Sequence, residues 1–68
     1  MIMQKGKIKW YDEIKGFGFI VPEHGDDIFV HRSGLSNSTV RLQNDQEVVF
    51  ETQQGSKGVV AVNVKPAV

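Results

Sequence analysis

The chain has 68 residues and no cysteine, and its eight Lys and Arg are balanced by eight Asp and Glu. That length predicts one small domain over 1–68, able to bury only about 60% of its unfolded surface and stapled by neither a disulfide nor a thiolate metal site. Zero net charge argues against a strongly cationic, duplex-coating protein, and no apolar run approaches the ~20 residues of a membrane span.

Met1-Ile2-Met3 is too short for a signal-peptide core, and Lys5 follows at once. The absence of cysteine fits a reducing cytoplasm, which is the expected location. Lys5, Lys7, Lys9 and Lys15 make up half of the basic residues and lie in the first fifteen positions. Two readings suit them: an edge strand that keeps neighbours away with lysines, or a local positive rim for a polyanion.

Gln4–Tyr11 alternates lysine with apolar residues and reads as a first strand. Strict alternation would put Trp10 on the core side with Ile8 and leave Tyr11 outside. A bulge or strong twist after Ile8 would turn Trp10 outward, and periodicity alone leaves the two open. Asp12–Gly16 is a connecting loop. Gly16–Val21 is a second strand closed by Pro22, which cannot donate to a ladder. Glu23–Asp26 is a turn, and Asp27–Arg32 a third strand. Ser33–Asn44 lacks clear periodicity; Ser33-Gly34-Leu35 suggests one helical turn capped by Ser33. Gln46–Thr52 is a fourth strand, Gln53–Lys57 a hairpin turn, and Gly58–Val64 a fifth strand, ended by Pro66.

Five short strands without a long helix predict an all-β barrel or sandwich. The chain is too short for two sheets, and closing one twisted sheet protects its edges. Ile8, Ile20, Ile28, Val30, Val48, Phe50, Val62 and Val64 would fill the interior. The two-residue period then separates the faces of strands two and three: Gly18 and Ile20 from Phe17 and Phe19, and Ile28 and Val30 from Phe29 and His31. Both faces are apolar, yet so small a barrel has one interior. The loop Ser33–Asn44 offers only Leu35, Val40 and Leu42 as apolar cover, so the aromatic face is expected outside.

Exposed aromatics beside lysines suit single-stranded nucleic acid. Unpaired bases stack on rings, lysines meet phosphates, and a duplex would hide its base faces. The same patch could serve a small protein-interaction module. An enzyme is not expected: no nucleophile–base spacing or phosphate loop stands out. Nor are a cofactor or a metal, since Asp26-Asp27 reads as a turn feature and His24 sits in a turn.

The runs Lys5-Gly6-Lys7-Ile8-Lys9-Trp10-Tyr11, Lys15-Gly16-Phe17-Gly18-Phe19-Ile20 and Asp27-Ile28-Phe29-Val30-His31 resemble the bacterial cold shock protein family, and Gly58–Val64 with Asn63 fits its last strand. The resemblance implies a five-stranded antiparallel OB-fold barrel that binds single-stranded RNA and DNA, often pyrimidine-rich, and acts as an RNA chaperone in gene regulation. It implies stacking by Trp10, Phe17, Phe19, Phe29 and His31, which favours the outward option for Trp10. It also implies basic contacts from Lys9, Lys15 and Lys57, and base-edge bonding by Asp27. The expected state is a monomer or weak dimer, with no membrane partner.

Four departures are visible. Tyr11 stands where phenylalanine is usual. Asp12 replaces a common asparagine, losing amide donors and adding negative charge. Arg32 replaces a frequent aromatic but can stack through its guanidinium and pair with phosphate. The long loop is shorter and lacks an aromatic, with Val40 the nearest apolar residue. The resemblance therefore implies a weakened stacking subsite and an affinity below that of a typical member.

Overall fold

The structure, a computed structural model, describes residues 3–36, 42–56 and 58–67. Its strands are β1 (Gln4–Asp12), β2 (Phe17–Pro22), β3 (Ile28–His31), β4 (Glu47–Gly55) and β5 (Gly58–Pro66), with a single 3-10 turn, Arg32–Gly34, after β3. They close into a barrel in the order β1-β2-β3-β5-β4. Each expected strand is present. Those of the last hairpin run further than the sequence suggested, pairing Gly55 with Gly58. Lys57 lies outside the described residues.

One pairing differs from the antiparallel expectation: β3 runs parallel to β5, with Phe29 opposite Val60 and Val30 opposite Ala61. The reason is parity. Every hydrogen-bonded neighbour along β3-β2-β1-β4-β5 is antiparallel. A closed ring with an odd number of strands cannot alternate direction all the way round. The one parallel junction is short and continues only as a bridge between Leu35 and Val64.

Ile8, Ile20, Val30, Leu42, Val48, Phe50, Ala61 and Val64 are buried inside, with Tyr11, Ile28 and Leu35 packed against them. Removing each large aliphatic side chain from water stabilises the fold by roughly 1.5–3 kcal/mol. Two expected core residues depart from full burial. Ile28, the first residue of its short strand, is half-buried but still packs on the core. Val62 lies half-buried on the outside, and Ala61 takes the interior place.

A bulge explains the second change. Val49 pairs with Lys65 and Glu51 with Val62, so Phe50 alone faces both Asn63 and Val64. Asn63 absorbs the extra residue at φ 53°, in the left-handed region asparagine tolerates. Its amide donates to Glu51 Oε1 at 2.6 Å. The inward face of β5 therefore runs from Ala61 to Val64 instead of through Val60 and Val62.

Leu42 comes from the long connection. Asp45 N donates to Ile8 O at 2.7 Å and Ile8 N to Gln46 O at 2.9 Å. These bonds hold the segment before β4 across β1 and bring Leu42 into the barrel. Val40 and the rest of 37–41 lie outside the described residues.

Candidate nucleic-acid interface

A second bulge orients Trp10. Ile8 pairs with Ile20 and Trp10 with Phe19, so Lys9 is an extra residue in β1 with no opposite number in β2. Beyond it the faces exchange: Trp10 turns outward and is 36% exposed, while Tyr11 packs on the core. Gly18 makes this possible, because a Cβ there would come within 2.7 Å of Tyr11 Cα and still closer to the Trp10 carbonyl oxygen. A glycine lets the bulged backbone lie directly against β2.

Trp10, Phe19 and Phe29 then lie in one row across β1, β2 and β3, continued by Val60 on β5. Phe17 and His31 form the next row. The rings make a closed circuit: Trp10–Phe19 5.5 Å, Phe19–Phe29 5.8 Å, Phe29–Phe17 5.9 Å and Phe17–Trp10 5.8 Å between centroids. Interplanar angles from 31° to 74° make the surface faceted, not flat. Mutual tilting half-buries the three phenylalanines and gains edge-to-face attraction.

His31 is exposed beside Phe17, and its tautomer is set by the chain that follows. Its Nδ1 caps the 3-10 turn, accepting from Ser33 N at 3.1 Å. The Ser33 hydroxyl lies 3.0 Å from the same nitrogen. A nitrogen that accepts carries no proton, so in the neutral ring Nε2–H is the donor. The sequence pointed to Ser33 as the cap; it is His31 that caps, and Ser33 orients it.

The charged residues divide between two edges. At the edge before β3, Lys9 Nζ lies 2.8 Å from Asp27 Oδ2, an exposed pair worth at most about 1 kcal/mol. At the Phe17 edge, Lys15 is exposed at the end of the β1–β2 turn. Asp12 and Arg32 both engage that turn. Asp12 Oδ1 accepts from Ile14 N at 2.9 Å and Lys15 N at 3.0 Å, so its carboxylate braces the turn. Arg32 Nη2 donates to Glu13 O at 3.3 Å. Its guanidinium also covers Gly16, where a Cβ would sit 2.9 Å from that nitrogen. Gly16 has a φ of 80°, a second reason for glycine. Arg32 is therefore folded against the turn.

Elsewhere, a groove of about 420 Å³ runs along β1, lined in part by Lys5, Lys7, Glu23, Asp45 and Glu47. Its interleaved charges offset one another and offer a phosphate chain little. Among the described residues no group of three or more His, Asp or Glu side chains converges as metal ligands would, and no helix is long and apolar enough to cross a membrane.

A closed five-stranded barrel with this strand order is an OB-fold, a class whose members bind oligonucleotides and oligosaccharides on the face of strands 2 and 3 and the adjoining loops. More narrowly, residues 4–67 match the model of the 'Cold-shock' DNA-binding domain, and the chain belongs to that family of nucleic-acid-binding proteins. It is 44% identical over 66 residues to "Cold shock protein CspC" of Bacillus subtilis (strain 168), spanning 96% of this chain and 100% of that one. It is 52% identical over 62 residues to "Cold shock-like protein CspC" of Escherichia coli (strain K12), spanning 88% and 90%. Among solved structures, "drosophila Unr CSD456" superposes with a TM-score of 0.81 over 98% of this chain at 20% identity, a likeness of fold. The chain spans 27% of that longer protein.

Proposed function

We propose that the chain binds single-stranded RNA and DNA and, as an RNA chaperone in the cytoplasm, holds RNA unpaired. The observation that carries this reading is the circuit of Trp10, Phe17, Phe19 and Phe29 on the outer face, with His31 Nε2–H beside it. In a barrel whose interior is filled by aliphatic side chains and Phe50, these rings remain for a ligand with flat apolar faces. Unpaired bases stack on them whatever their identity, and the tilted facets turn successive bases relative to one another. Lys9, Lys15 and Lys57 supply positive charge for phosphates, with Lys9 first having to leave Asp27. Asp27, once released, accepts from a base edge. Arg32 holds the turn that carries Lys15, and its exposed guanidinium stacks on a base or pairs with phosphate.

The test is a titration of Trp10 fluorescence with matched single-stranded and duplex oligonucleotides at two salt concentrations. A short pyrimidine single strand is expected to quench the indole and bind more weakly as salt rises; the duplex is expected to do neither at the same concentration. Unchanged fluorescence and electrophoretic mobility with the single strand at low salt would sink the reading. Lys15→Ala should reduce the slope of log affinity against log salt by about 0.7, the value for one phosphate contact on a single strand. Its exposed position predicts an unchanged melting temperature. An unchanged slope would show that Lys15 meets no phosphate.

A further inference from the structure

Among the described residues, Ile14 is the most exposed large apolar side chain, at 92%. It stands at the tip of the β1–β2 turn, where a polar residue would cost nothing. The turn around it is firmly tied. Asp12 Oδ1 holds the Ile14 and Lys15 amides, Asp12 O accepts from Gly16 N at 2.7 Å, and Gly16 O accepts from Arg32 N at 2.7 Å. Arg32 Nη2 bonds the Glu13 carbonyl from the other side. The isoleucine is thus projected from a braced support.

Its location gives it a use. The turn joins Asp12 to Phe17, which are paired, and Phe17 pairs in turn with His31. Ile14 therefore stands at the Phe17–His31 edge of the ring surface, next to Lys15. If unpaired bases lie on the rings, a duplex from which they emerge must end at an edge of that surface. One isolated side chain is far too small for a protein interface, which takes hundreds of square ångströms per partner. A single apolar residue is, however, enough to enter between stacked bases, as isoleucine and leucine wedges do in kinked DNA.

We propose that Ile14 is a strand-separating wedge: it packs against the terminal base pair of a duplex at its junction with a bound single strand, while Lys15 holds the adjacent phosphate. This rests on the single-strand reading above. The wedge takes the place of the next stacked pair, so melted bases pass onto the rings instead of closing again. Because Ile14 stands at one edge only, opening should depend on which end of the duplex carries the single-stranded tail.

The experiment uses the full chain with fluorophore–quencher hairpins bearing a short tail at either the 5′ or the 3′ end, alongside a fully unpaired oligonucleotide. Wild type is expected to bind the unpaired strand and to open one tail polarity preferentially. Ile14→Ser should bind the unpaired strand within about twofold of wild type but require about tenfold more protein to open the preferred hairpin, roughly the apolar contact of one isoleucine. It should also lose the polarity preference, and Ile14→Leu should restore both. The wedge is overturned if Ile14→Ser opens hairpins as wild type does, or loses unpaired-strand binding to the same extent as opening. It is overturned too if wild type binds unpaired strands yet opens neither hairpin. Failure of wild type to bind the unpaired strand would instead remove the single-strand reading itself, and the wedge with it.

Discussion

Phe29→Ala is expected to weaken binding of a short pyrimidine single strand by about 1–3 kcal/mol, or roughly 5- to 150-fold. The residue is chosen for its position. Phe29 lies on β3, where the aromatic row meets the parallel junction: its ring is 5.9 Å from Phe17 and 5.8 Å from Phe19, and its backbone faces Val60. Removing it opens the ring circuit and takes support from both neighbours, so more than one base loses its platform. The ring is half-buried, and its loss will lower stability as well; Phe29→Leu separates the effects by keeping much of the apolar packing while deleting the π-face. Fluorescence titration below the melting temperature of each variant is the measurement. Binding by Phe29→Leu equal to wild type would show that apolar contact, not stacking, is what the site offers. Phe17→Ala should cost a similar amount. Because the two rings touch, the double variant should lose less than the sum of the single losses.

Phe50→Ala is expected to cost about 3–5 kcal/mol of folding stability. A chain of 68 residues typically has about 3–10 kcal/mol in total, so this one change removes much or all of it. Phe50 is fully buried and among the largest buried side chains. It sits where β4 faces the bulge of β5, opposite Asn63 and Val64, and its backbone pairs with Gln4 of β1. The cavity it leaves would be walled by strands held in a closed ring, which cannot collapse inward without breaking ladder hydrogen bonds. Urea unfolding followed by far-ultraviolet circular dichroism should show a large fall in midpoint at nearly constant slope. A loss below about 1 kcal/mol would show that the barrel repacks around the gap. Nucleic-acid binding by whatever fraction stays folded should be unchanged, the reverse of the result for Phe29.

The contrast between Phe50 and Phe29 was readable in the sequence for a local reason. A strand side chain alternates face with every residue, so Phe17 and Phe19 had to oppose Gly18 and Ile20, and Phe29 had to oppose Ile28 and Val30. The count of aliphatic residues then decided which face was inside. The same arithmetic placed Ile8, Ile20, Val30, Val48, Phe50 and Val64 in the core, where they are. The family resemblance turned Trp10 outward, and the structure supplies the cause, the extra residue Lys9 in the β1 ladder.

Beyond that point the residues alone were insufficient. A bulge exists only relative to a partner strand. The exchange of faces at Lys9, and the one at Asn63 that moved Val62 out and Ala61 in, are properties of β1 against β2 and of β5 against β4. The parallel contact of β3 with β5 follows from closing five strands, a condition on the whole ring. That Arg32 braces the β1–β2 turn is likewise a tertiary matter, because Gly16 and the Glu13 carbonyl lie within reach of its guanidinium only once β3 is paired. The sequence by itself determined which side chains share a face, because alternation is set by each residue's own backbone. Tertiary structure decided where alternation breaks, how the sheet closes and which polar groups are already engaged, because each of those depends on what lies across from the chain.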